Sequence, residues 1–259
     1  MTLADQANAT LVREPVHLDR ADLKAVLAAG WADFKAMPQY GLFFATFYML
    51  GGFALYFGMI GQGQVVWFIA IAAGFPLFAP FAALGIYEVS RRRESGMSIG
   101  WGNVLTALRG HGNGQLSLMA VTVLIIFGFW VILARGIFAI FFARSGIGEE
   151  TLGMLLSPTG VGMVIVGTAV GALIALGLFC ITVISLPMLL DKDVDFVTAM
   201  ITSAETVRIN PVVMLQWAAL IGVALFVSMI LVFVPLLIVL PVLGHATWHL
   251  YRRALPLEA

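Results

Sequence analysis

"VVMLQWAALIGVALFVSMILVFVPLLIVLPVLGHATWHLYRR", residues 212–253, sets the number of membrane crossings that this chain can make. Val212–Leu250 is apolar for 39 residues, too long for one ordinary helix, since a hydrocarbon core of about 30 Å takes about 20 residues. Two helices of roughly 18 residues would each rise about 27 Å. Pro235 disfavours helical geometry at Val234, which puts a turn near Leu231–Pro235. The stretch closes on His245 and His249, four residues apart and therefore on one helical face, followed by Arg252 and Arg253.

The rest of the chain has the same character. It is 61% hydrophobic and 11% charged, against about 25% charged in an ordinary soluble domain. "GLFFATFYMLGGFALYFGMI" (41–60) and "VVWFIAIAAGFPLFAPFAALGIY" (65–87) are continuous apolar runs, as are Ser117–Ala143 and Val161–Leu190. The expectation is an all-α polytopic membrane protein with six transmembrane helices arranged as three hairpins. The first 40 residues carry charges throughout and lack a short apolar core before a cleavage site, so they do not read as a signal peptide. Cys180 is the single cysteine, which precludes an intrachain disulfide. A net charge of zero gives no reason to expect nucleic acid.

Charge placement orients the spans. With six crossings, one side holds Arg13, Arg20, Lys24, Lys35, Arg91, Arg92, Arg93, Arg109, Lys192, Arg208, Arg252 and Arg253, and the other holds Arg144. This asymmetry follows the positive-inside rule. Both termini of this multi-pass protein are expected in the cytoplasm.

A shared ending suggests repeats. Pro80 stands eleven residues before Arg91, in "PFAALGIYEVSRR", and Pro241 eleven before Arg252, in "PVLGHATWHLYRR"; Pro187 opens a similar "PMLLDKDVDFVTA". Glu88, Asp195 and His249 fall eight past these prolines. Ahead of the odd-numbered spans, 21–38, 98–110 and 194–211 each read as a short cytoplasmic amphipathic helix. In the first of them Leu23, Val26, Leu27, Gly30, Trp31 and Phe34 take the apolar face, with Asp22, Lys24, Asp33 and Lys35 elsewhere. Asn210-Pro211 reads as a cap before a first-turn proline. The expected organisation is an N-terminal tail 1–18, one membrane domain 19–253 built of three repeats (19–93, 97–192, 194–253), and a tail 254–259. The competing reading is that any helix leaving a membrane turns polar and aromatic.

The motifs "PFAALGIYEVSRRRESG", "LPMLLDKDVDFVTAMITSAETVRINP" and "PVLGHATWHLYRR" resemble an uncharacterised family of bacterial integral membrane proteins, over roughly residues 30–253. Some members of that family have been described as cytochrome c oxidase subunits. The resemblance implies a class and an association with a respiratory oxidase. A catalytic haem–copper subunit needs more histidines for its haems and copper than the four in this chain, and His17 and His111 lie outside the spans. The expected role is a non-catalytic accessory or assembly subunit bound laterally to a larger membrane complex, a respiratory cytochrome oxidase assembly first. Its partners would be other integral membrane proteins and lipids. The alternative is a small-solute or lipid transporter. No nucleotide loop, nucleophile elbow or HExxH occurs, so no enzyme and no cofactor are expected.

Candidate site residues are few. His245 and His249 could supply two metal or haem ligands, with Glu88, Asp191 or Asp195 completing the set. The preferred reading is a helix end at headgroup level, where Trp248, Tyr251, Arg252 and Arg253 form an interfacial belt touching lipid or a partner. Asp191, Asp193 and Asp195 lack the glycine and glutamate of a calcium loop and read as a solvated helix start. Arg135 lies about 27 Å into its span and reads as snorkelling to headgroups or a partner. The polar residues within the spans are mainly Thr46, Thr122, Thr168, Thr182, Ser185, Gln216 and Ser228.

Overall fold

Capping residues and prolines start most of the elements. The computed structural model describes residues 14–60, 79–107, 114–142 and 152–256, which form helices and their connections. In chain order the helices are α1 (Arg20–Ala36), α2 (Pro38–Ile60), α3 (Ala79–Glu94), α4 (Trp101–Thr106), α5 (Gln115–Phe142), α6 (Leu152–Leu156), α7 (Pro158–Thr182), α8 (Ser185–Asp191), α9 (Phe196–Ile209), α10 (Pro211–Ile230) and α11 (Leu236–Ala254). Asp19 opens α1 with a reciprocal box: its carboxylate accepts from the Asp22 N–H, and that of Asp22 accepts from the Asp19 N–H, both at 2.9 Å. Ser157 caps α7, whose first residue is Pro158.

Four helical segments among the described residues are long and apolar enough to cross a membrane: Pro38–Gly58, Gln115–Phe142, Pro158–Asp191 and Pro211–Ile230. The expected count of six is not reached among them. Most of the second run, 65–87, lies outside the described residues. The last run does break at Leu231–Pro235, but α11 carries His245, His249, Arg252 and Arg253 among its 19 residues. The order of a short helix followed by a long apolar one recurs three times, as α1–α2, α4–α5 and α9–α10. The ends that follow the three prolines differ. α3 runs to Glu94 and α11 to Ala254, whereas α8 stops at Asp191 and Asp195 becomes the N-cap of α9.

α11 is the helix around which α1, α2 and α3 are laid. Its residues Gly244 to Trp248 are buried in succession, so it is covered on all sides there. The close approach depends on missing side chains. A Cβ on Gly30 would stand 2.6 Å from the Ala246 backbone nitrogen and 2.7 Å from the Val242 carbonyl oxygen, and one on Gly41 would stand 2.6 Å from the Pro241 ring. α1 thus runs along α11 with backbone nearly touching backbone, and α2 packs its backbone at Gly41 against the Pro241 ring. Asn210, expected to cap α10, makes no cap bond. Its amide instead donates to the Val16 carbonyl and accepts from the Leu18 N–H, pinning the segment that leads into α1.

Pro187 shapes the other half. It has no N–H to offer the Val183 carbonyl, which breaks the helix between α7 and α8. The Ser203 hydroxyl of α9 fills the gap: it accepts from the Ile184 N–H and donates to the Cys180 carbonyl, taking the place of the bond those two groups would make in a continuous helix.

The turn at 231–235 carries strain that its sequence does not announce. The Phe233 N–H donates to the Ser228 carbonyl and the Val232 N–H to that of Met229, the Schellman pattern. Val232 and Phe233 both hold positive φ, 53° and 61°, where glycine is the usual residue. Burial of the Phe233 ring over Gly52 offsets the cost. Two outcomes are expected in thermal melts of the purified protein. Gly30→Val should destabilise by about 1–3 kcal/mol, since backbone has to move, while Gly222→Ala, facing open space, should not. Val232→Gly should raise the melting temperature by relieving about 1 kcal/mol of backbone strain.

Candidate functional site

The polar end of α11 meets α1, α3 and α8 in a cluster centred on Asp33. The residue is 5% exposed, and its carboxylate is occupied on both oxygens. Oδ2 accepts from the Ser90 hydroxyl at 2.6 Å and from His249 Nε2 at 2.8 Å, and Oδ1 accepts from the Arg93 guanidinium. Ser90 Oγ also lies 2.7 Å from His245 Nδ1. A carboxylate has no proton to give, so the Ser90 proton points to Asp33, and the Nδ1–H of His245 donates to Ser90. The lone pair of His245 is then on Nε2, which is buried and has no hydrogen-bond partner among the described residues.

Burial alone would raise the pKa of Asp33. The hydrogen bonds from His249 and Ser90 outweigh it and hold the group at about 2. The carboxylate is therefore ionised at any physiological pH. The hydroxyl is no nucleophile in this arrangement. A serine nucleophile gives its proton to an imidazole lone pair, whereas the Ser90 oxygen accepts a hydrogen bond from the imidazole N–H, its own O–H points to Asp33, and it is fully buried.

Other acids complete the ring. Glu88 accepts from Arg91 through both oxygens, at 2.8 and 2.9 Å, and from Arg92. Glu94 accepts from Trp248 Nε1 and Arg252 Nε, each at 3.0 Å. Asp191 accepts from the Tyr251 hydroxyl at 2.7 Å and lies 3.5 Å from Arg252. Arg253 pairs with Asp22 of α1. Except for Glu88, held by arginines of its own helix, each acid ties α11 to a different neighbour.

The sequence-based site residues are redistributed accordingly. His245 is wholly buried, because α1 and α3 close over it. Trp248 and Tyr251, expected in an interfacial belt, are also fully buried, since their polar atoms reach Glu94 and Asp191 inside the bundle. Arg252 and Arg253 face acids of the same chain. The five candidate ligands do not converge. His245 and His249 meet at Asp33, Glu88 is held by arginines, Asp191 by Tyr251, and Asp195 caps α9. Among the described residues no three His, Cys, Asp or Glu side chains are gathered as they would be around a metal ion. Arg135 is exposed on α5.

Asp33, Ser90, Arg93, Glu94 and Asp22 were missing from the sequence-based site. Asp33 did carry a signal: it stands seven residues past Val26 and three past Gly30, on the face that meets α11. Trp31, assigned to that face, is exposed instead. Asp33→Asn should cost about 3 kcal/mol in unfolding experiments, because the amide loses the charge and one of the two acceptor oxygens that the buried Ser90 hydroxyl, His249 and Arg93 share. The pH dependence follows from the depressed pKa. The stabilisation is complete above the ordinary value of 3.8 and is lost as pH falls towards about 2. The wild-type melting temperature should drop more steeply across that window than the variant's.

Residues 68–191, just under half of the chain, match the model of a family described as "Predicted integral membrane protein (DUF2189)". The matched segment contributes Glu88, Ser90, the three arginines, Glu94 and Asp191 to the cluster, and α1 and α11 lie outside it. No curated protein and no solved structure matches the chain. The family match and the long apolar helices agree, and the chain is an integral membrane protein with several apolar helices.

Proposed function

We propose that the protein is a non-catalytic accessory or assembly subunit, bound laterally to a larger membrane complex, with a respiratory cytochrome oxidase assembly as the first candidate. The observation that carries the first part is where the polar groups of the long helices point. The hydroxyls of Thr46, Thr122, Thr182, Ser185 and Ser228 each donate to the carbonyl four residues back, on Leu42, Leu118, Leu178, Ile181 and Ala224. A hydroxyl bonded to its own helix offers little to a passing solute. The outward faces are apolar, as at Ile125, Phe129 and Ile132 of α5 and Val223, Phe226 and Ile230 of α10. Such faces fit acyl chains or the flank of another membrane protein. The link to an oxidase rests on the sequence resemblance alone.

The same proposal takes the chain as six spans in three hairpins, each preceded by a helix on the cytoplasmic surface. Both termini are then inside a bacterial inner membrane, as the asymmetry of Lys and Arg supports. In a Cys180→Ser background, cysteines at Gly63 and Gly148 should react with an impermeant thiol reagent added to intact cells, and one at Ser95 should not. Reaction at Ser95 would sink this topology. Gentle solubilisation should bring down oxidase subunits with the tagged chain. Solute movement by the chain alone in liposomes would instead favour the transporter.

A further inference from the structure

α1 presents to the outside a stripe that its internal contacts leave purely cationic. Arg20, Lys24, Trp31 and Lys35 follow at spacings of four, seven and four, which puts them on one face. All four are exposed, and Lys35 Nζ stands 5.9 Å from the centre of the Trp31 ring, within range of a cation–π contact. The acids of this segment are turned elsewhere: Asp19 caps the helix, Asp22 takes Arg253, and Asp33 takes Ser90, Arg93 and His249. Among the described residues Arg20, Lys24 and Lys35 have no ion-pair partner. One residue, Met37, separates α1 from α2, so the Lys35 end of the stripe lies within a turn of the start of a candidate span.

We infer that this face of α1 binds the phosphate headgroups of anionic phospholipids. A tryptophan between lysines, close to where an apolar helix starts, suits the boundary between acyl chains and headgroups. Clustered cations beside a span attract acidic lipid, with a contribution per cation equivalent to roughly fivefold in affinity. An acidic protein could match the charges, but the exposed indole and the adjoining span favour lipid. The inference is independent of the proposed accessory role.

The test uses the full chain in mild detergent, offered equal dioleoyl-phosphatidylglycerol and dioleoyl-phosphatidylcholine and read by native mass spectrometry. Wild type should retain the anionic lipid preferentially, and less so as ionic strength rises. Arg20→Gln/Lys24→Gln/Lys35→Gln should lose the preference, by roughly fivefold for each cation removed, with an unchanged melting temperature. Lys24→Arg/Lys35→Arg should keep it. So should Arg208→Gln, which removes an exposed cation from α9. Should the triple variant fail to fold, Lys35→Gln alone carries the comparison. No preference in wild type, or an equal preference in the folded Gln variant, overturns the inference. Loss of a co-purifying acidic protein from the variant, with lipid preference intact, assigns the stripe to a protein partner instead and overturns it as well.

Discussion

Asp33 carries a negative charge into the contact between α1, α3 and α11, and a charge so placed has to be answered from each helix it touches. Ser90 and Arg93 answer from α3 and His249 from α11, while His245 stands behind Ser90. The arrangement is directional. Hydrogen bonds to one carboxylate fix the rotation of α1 about its axis and the register of α11 against α3. Apolar contacts alone leave such a register loosely specified. The close passage of Gly30 along Val242 and Ala246 allows Asp33 to come near enough.

Once α11 is held at that register, the remaining pairs follow its helical period. His245, Trp248, His249, Arg252 and Arg253 recur at intervals of three and four and meet Ser90, Glu94, Asp33, Asp191 and Asp22 in turn. Buried pairs of this kind add little net stability over apolar packing, because desolvation cancels much of the attraction. What they supply is a penalty for every other arrangement. In a chain whose long helices expose apolar surface all round, such a penalty is a means of choosing one bundle among many.

The same economy of polar groups bears on function. The hydroxyls of Thr46, Thr122, Thr182, Ser185 and Ser228 bond to their own backbones, and the acids of the cluster meet cations of the same chain. Among the described residues the exposed surface includes an apolar flank and the cationic stripe of α1. Both are surfaces for neighbours in and at a membrane, which fits a subunit that acts by association.

Runs of apolar residues with few charges made the membrane class and the helical architecture legible from the sequence, because hydrophobic length is a local property. The turn near Pro235 and the short helices ahead of the long ones were legible for the same reason. The cluster was not. His245 and Trp248 look the same in sequence whether they end a helix at the headgroups or close a bundle, and the choice depends on partners 155 and 154 residues away, Ser90 and Glu94. Asp33 read as a surface acid because charge argues for solvent; the tertiary structure reversed that by surrounding it with donors. The likeness expected among the three proline-led helix ends fails at Pro187, where Ser203 of another helix completes the broken ladder. Local pattern determined which segments are helices and which are apolar. Only the packing of α1 and α3 around α11 decided which polar groups are buried, since burial depends on what the rest of the chain brings to the other side.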